Sequence, residues 1–158
     1  MDKLVKALTQ DVIVTWDHIS SFKQSSCFDI FRSVLTPTHK NNEQLQYTAT
    51  WILLNLASLP TDKCEIFVTE GIVFRLVESM QYVSDGRTLS NIFWALSNMC
   101  VGNPIVRDEM TKCDISDALH SMINNSNLRI EGEEFYDLLV DLLKIYTQVT
   151  PSLNLSAY

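Results

Sequence analysis

The sequence predicts an all-α chain wound as a right-handed α-solenoid of about three stacked helical units. Three observations carry this expectation. Trp51 and Trp94 lie 43 residues apart (94 − 51) inside matching helical segments. Leu53/Leu96 and Asn55/Asn98 keep the same offsets, and an apolar residue follows each Asn. Finally, 46% hydrophobic residues with only four Gly and four Pro describe a folded, helix-rich chain. A self-similar helical period of roughly 40–47 residues is the mark of a solenoid, in which one unit cannot bury its own apolar face and stacking does so.

The elements follow in order. Residues 2–22 place Leu4, Val5, Leu8, Val12, Ile13, Trp16 and Ile19 at spacings compatible with helix in one or two pieces, interrupted at Lys23-Gln24-Ser25-Ser26. Cys27–Leu35 reads as a helix with Phe28, Phe31, Val34 and Leu35 inward, ended by Pro37 and the polar run 38–42. A long amphipathic helix then spans 43–58 and stops at Pro60. A short helix is expected near Asp62–Thr69 with Asp62 as its cap, and after Gly71 a second helix over Ile72–Tyr82. Asp85-Gly86 signals a turn. The scheme repeats as a long helix at 87–101, a Gly102-Asn103-Pro104 break, a short helix at 105–112 and a helix at Ile115–Ile123. After Asn124-Asn125-Ser126-Asn127, residues 133–147 supply a final long helix. The organisation predicted is one domain over 1–150 and a tail over 151–158. Within the domain lie a partial unit (1–42), repeats at 43–85 and 86–128, and a terminal half-unit (129–150).

Composition narrows the function classes. No apolar run approaches the ~18–20 residues of a membrane span, and Met1-Asp2-Lys3-Leu4-Val5-Lys6 lacks the apolar stretch of a secretory signal. A cytoplasmic or nuclear location is therefore expected. Cys27, Cys64, Cys100 and Cys113 show no CxxC spacing and no paired His, which reads as free thiols. The net charge of −7 is concentrated in 108–141, where nine acids face Lys112 and Arg129. That segment disfavours nucleic acid and anionic lipid, and is either a solvated surface or an attraction for a basic partner. His18, His39 and His120 stand apart from any nucleophile motif, and GxSxG, GxGxxG and P-loop patterns are missing. Glu133-Glu134 with Asp137 and Asp141 puts carboxylates on one helix without a His alongside, which suits a solvated face better than a metal. The reading is a non-enzymatic protein with no cofactor and no metal.

The tryptophans point to a binding surface. At 100° per residue, Ala49, Ile52, Leu53, Leu56 and Ala57 form one side of the first long helix, and Tyr47, Thr48, Trp51, Asn55 and Ser58 the other. In the second, Ile92, Ala95, Leu96, Met99 and Cys100 oppose Ser90, Asn91, Trp94, Asn98 and Val101. Large aromatics on helices are usually core, so burial of both indoles is one reading. Sharing a face with Thr, Ser and Asn favours the other, a groove. Asn four residues after Trp offers a donor and an acceptor to a peptide backbone, and the indole face packs a Lys or Arg stem.

At these residues the sequence resembles the importin-α (karyopherin-α) branch of the armadillo repeats. Residues 46–58 and Phe93-Trp94-Ala95-Leu96-Ser97-Asn98-Met99 are similar to that family's third-helix pattern. Thr69-Glu70-Gly71-Ile72-Val73 and Val106-Arg107-Asp108-Glu109-Met110 resemble segments at and before its first-to-second-helix joint. The match covers roughly 27–123. It implies a right-handed armadillo-repeat superhelix whose concave surface binds an extended basic peptide such as a nuclear localisation signal, with a role as an import adaptor. By that resemblance Trp51, Asn55, Trp94 and Asn98 contact the peptide, with Thr48, Ser90 and Asn91 beside them. Where the family places an Asp eight residues past its Trp, this chain has Gly102, and Asp114 stands at the second joint in place of Gly. The alternative expectation is a structural armadillo subunit docked permanently in a larger protein assembly.

Overall fold

Helix follows from where each apolar stripe starts and what caps it. A computed structural model describes residues 16–125 together with Leu128, Val140 and Ile145. It contains α1 (Trp16–Gln24), α2 (Cys27–Val34), α3 (Glu43–Leu56), α4 (Glu65–Thr69), α5 (Ile72–Ser79), α6 (Gly86–Cys100), α7 (Pro104–Lys112) and α8 (Ile115–Ile123). Short 3-10 turns at Pro37–His39 and Thr61–Lys63 complete the described elements. Among these residues there is no strand, and the chain is all-α. The expected final helix at 133–147, the tail and most of the opening segment lie outside the described residues.

Asn and Asp side chains start α3, α6 and α7. Asn42 Oδ1 accepts from Leu45 N at 3.1 Å, Asp85 Oδ2 from Thr88 N at 3.1 Å, and Asn103 Oδ1 from Val106 N at 3.2 Å. Each bond satisfies one of the N–H groups that a helix start leaves without an intrahelical acceptor. Asp85-Gly86, expected as a turn, is thus a capped helix start. Asp62 does not cap α4: it falls in the 3-10 turn, and α4 begins three residues later behind Cys64.

The joints between the shorter helices repeat. Ser26, Gly71 and Asp114 each precede the second helix of a pair, with φ of 57°, 67° and 53°. Only Gly takes this left-handed conformation without steric cost, and Asp tolerates it better than most residues. The chain makes the same reversal three times with three different side chains. Arg32 braces the middle joint from α2. Its Nη1 donates to the Glu70 carbonyl at 2.7 Å and to Glu70 Oε2 at 3.3 Å, and its Nη2 pairs with Asp29. Lys23 of α1 adds an ion pair to Glu70 Oε1 at 3.3 Å.

The packing is likewise repetitive. α3 lies on α6 in the most extensive contact of the fold, α4 packs on α7, and α2 on α5 on α8. The arrangement of α3 and α6 is parallel. Tyr47 meets Arg87, and Thr50 meets Asn91, so contacts advance in the same direction along both helices. Between them lies a continuous core that includes Leu53, Leu56, Phe67, Leu76, Leu89, Ile92, Phe93, Leu96 and Met99, all at 0% exposure.

Gly71→Ala isolates the cost of the joint. A Cβ there would meet only Arg32 Cδ, at an ordinary 3.8 Å, so the penalty comes from the backbone. The substitution is expected to destabilise the fold by about 1–2 kcal/mol. In urea the midpoint should fall with no change in the slope of the transition.

Candidate functional site

The long helices set out the predicted site residues as two rows. On α6, Trp94 is 54% exposed, and Asn98, one turn on, is half-buried. The Asn98 amide has no hydrogen-bond partner among the described residues. On α3 the corresponding pair is tighter. Trp51 is half-buried and packs against the core, and Asn55 Nδ2 donates to the Trp51 carbonyl at 2.9 Å. That bond uses one of the two Nδ2 protons and leaves the other, with the side-chain oxygen Oδ1, without a partner among the described residues. The apolar sides match their expected faces: Ala49, Ile52, Leu53, Leu56 and Ala57 are buried, as are Ile92, Ala95, Leu96, Met99 and Cys100.

The flanking residues divide. Thr48 is half-buried, and its hydroxyl bonds the Gln44 carbonyl at 2.8 Å. Ser90 is half-buried. Asn91, grouped by helical angle with Trp94, is instead a buried residue of the α3–α6 contact. It is 9% exposed, and its Nδ2 lies 3.4 Å from Thr50 Oγ1. Thr50, at 0% exposure, turns its own hydroxyl proton toward the Gln46 or Tyr47 carbonyl, at 2.9 and 3.0 Å. Asn91 therefore fixes the floor beneath the tryptophans and does not offer a free amide above it.

One residue on this surface was not singled out from the sequence. The Arg87 guanidinium carbon lies 5.3 Å from the centre of the Tyr47 ring, spanning α6 to α3. The signal was present, since Arg87 stands seven residues before Trp94 and shares its stripe. Beyond the far end of the row, Val101 and Ile105 are 50% and 45% exposed, with Gly102 between them at φ 69°. The carboxylates of α7 and α8 (Asp108, Glu109, Asp114 and Asp117) belong to neighbouring elements, not to α3 or α6.

Other parts of the molecule hold less chemistry. An open cleft of about 480 Å³ between α1 and α4 is lined by Lys23, Lys63, Asp62 and Glu65, but both lysines are already paired, with Glu70 and Asp62. Among the described residues no three His, Cys, Asp or Glu side chains come together as metal ligands, and no helix is long and apolar enough to cross a membrane. The four cysteines are free thiols. Burial pushes Cys64 up to about 11, with Asp62 and Cys100 adding to the effect. Burial also raises Cys100 to about 11 against the opposing Arg107, and Cys113 to about 11 with help from Glu109.

No protein-family model, no curated protein and no solved structure matches this chain.

Two expectations come from this geometry. Thr50→Val keeps the volume but leaves the Asn91 amide buried without its acceptor. It should cost about 1–2 kcal/mol in urea unfolding, and adding Asn91→Leu should recover part of that. The thiols give a pH dependence. A thiol kept neutral by the fold contributes fully below its unfolded value and loses that contribution as pH rises through the folded one. Stability should therefore fall between the ordinary 9.0 and about 11. Under native conditions near pH 8, a thiol reagent should label Cys27 first, and Cys64 and Cys100 only on unfolding.

Proposed function

We propose that this chain is a non-catalytic interaction module of the armadillo type, and that the α3–α6 face binds an extended peptide. The observation that carries this is the pair on α6: an indole with more than half its surface exposed, followed one turn later by an asparagine amide with no partner among the described residues. An exposed Trp is poorly used surface unless something packs on it, and an unbonded amide beside it offers a donor and an acceptor to a peptide backbone. Repeated left-handed joints at Ser26, Gly71 and Asp114, and the stacking of each helix on its counterpart, support the solenoid and its repeat-by-repeat groove.

Within this reading Trp94 and Asn98 form the principal subsite. Trp51 and Asn55 form a shallower one, because the Asn55 amide is held by its own helix. The long side chain of a Lys or Arg is a suitable occupant for the indole face, and the acids of α7 and α8 supply long-range attraction. The nuclear-import adaptor is the narrower form of the proposal and rests on the resemblance of residues 46–58 and 93–99. Gly102 brings no carboxylate to that task. The exposed apolar side chains Val101 and Ile105 favour a second reading, in which a permanent partner subunit covers the end of the row.

The test is a titration followed by tryptophan emission, in a Trp16→Phe background so that Trp51 and Trp94 report. An extended peptide containing Lys residues is expected to shift or quench the emission at micromolar concentration. Trp94→Ala should remove most of the response, and Asn98→Ala should weaken binding by about 1–2 kcal/mol. Silence up to high micromolar peptide, together with co-purification of a stoichiometric subunit that protects Trp94 from quenching by iodide, would establish the second reading instead.

A further inference from the structure

Helices α3 and α6 carry one charged residue each, Glu43 and Arg87. The row of tryptophans and asparagines is therefore almost neutral, and its exposed cation is built into the surface. Arg87 rests on the Tyr47 ring at 5.3 Å, yet its side chain is 60% exposed. Its Nε forms an ion pair with Asp85 Oδ1 at 3.4 Å, so the donors left to a ligand are on the two Nη atoms. The other Asp85 oxygen is already occupied, accepting from Thr88 N and from the Thr88 hydroxyl at 2.7 Å. Among the described residues the two Nη atoms have no hydrogen-bond partner.

We infer that Arg87 is a carboxylate-selecting position of the groove, and that the occupant is an extended peptide of mixed charge and not a uniformly basic one. This rests on the peptide-groove reading above. A guanidinium presents its donors as a planar fork that matches a carboxylate. Stacking on Tyr47 holds that fork in place before a ligand arrives, which lowers the ordering cost of binding. The same cation repels a Lys or Arg seated over Tyr47. Trp94, in contrast, has no fixed charge beside it on α6, and its ring accepts an aliphatic stem or a cation.

For the stretch of ligand that passes from Arg87 to Trp94 along α6, the spacing sets the recognised pattern. Arg87 and Trp94 are seven residues apart on a helix that rises 1.5 Å per residue, about 10.5 Å. An extended peptide advances about 3.3 Å per residue. The acidic residue and the residue seated on Trp94 are therefore about three positions apart in the ligand.

The experiment uses the full chain and short, capped, dye-labelled peptides in an alanine–serine background, read by fluorescence anisotropy. One peptide places Glu about three positions before Lys, a second reverses that order, and controls carry Gln for Glu. An all-lysine peptide is the reference. One of the two orders is expected to bind about five- to tenfold more tightly than its Gln control at low salt, with the advantage shrinking at about 0.5 M salt. Arg87→Gln should abolish the preference, so that the Glu peptide and its Gln control bind that variant within about twofold of each other. Equal binding of Glu and Gln peptides, a preference for the all-lysine peptide, or a Glu preference that survives Arg87→Gln overturns the role of Arg87 alone. Failure of every peptide, including the all-lysine one, to bind the wild-type chain overturns the groove reading itself.

Discussion

The parallel contact of α3 with α6 is the constraint on which the rest of the molecule depends. Each long helix carries an apolar side that it cannot cover by itself. Burying a Leu or Ile contributes roughly 1.5–3 kcal/mol, and Leu53, Leu56, Ile92 and Leu96 are all at 0% exposure. Antiparallel neighbours would need only a short loop. Parallel neighbours require the chain to return to its starting end, and α4 and α5 make that return. A return in two short helices needs a sharp joint, which is why a left-handed residue sits at Gly71. The same left-handed joint recurs at Ser26 and Asp114.

Polar groups determine how the two long helices meet. Serine and threonine within the core return their hydroxyls to carbonyls of their own helices, as Thr50 and Ser79 do. Such bonds satisfy the group without specifying a neighbour. Asn91 differs, because its amide crosses to Thr50 and so sets a register. A shift of either helix by one residue would strand that amide in an apolar contact, at about 1–3 kcal/mol. Gln46 Nε2 and the Tyr82 hydroxyl are buried without partners among the described residues, and the surroundings offer no physical account of either.

Much of this was legible in the sequence, for reasons that also explain the misses. Apolar periodicity places α3, α6 and α8 within a few residues, because 14, 15 and 9 residues of amphipathic pattern average out local ambiguity. Ile115–Ile123 has the expected bounds. The 3-10 turn at Thr61–Lys63 was not legible, since Asp62 has the chemistry of a helix cap and the competing short-range turn has no distinct pattern. Asn91 shows a deeper limit. Helical angle groups it with Trp94, but angle is measured from one helix axis and does not say where a neighbouring helix lies. The arc between exposed and buried is decided by α3, and Asn91 falls just inside it. Arg87 was equally open to inspection at seven residues before Trp94, but its significance needs Tyr47, which is 40 residues away in sequence (87 − 47) and adjacent only in the fold.

The Trp–Asn pairs of α3 and α6 are alike in sequence and unlike in chemistry. Trp-x-Leu-x-Asn occurs in both α3 and α6, so local sequence alone cannot separate them. In α3 the Asn55 amide closes on its own helix carbonyl, and the indole above it leans into the core. In α6 the amide has no partner among the described residues, and more than half of the indole is exposed. An intrahelical hydrogen bond of about 1 kcal/mol ties up one Nδ2 proton of Asn55, so Asn55 offers a ligand one free N–H where Asn98, among the described residues, offers two. Binding free energy is a difference between states, so identical residues contribute unequally when their unbound partners differ. In the proposed groove the α6 pair is therefore the one open to a ligand. With Arg87 at the near end of α6 and Val101 at the far end, that helix also carries a polarity, charged at its start and apolar at its finish. Two near-copies of one helix thereby acquire different exposed chemistry without any change in the Trp-x-Leu-x-Asn motif they share.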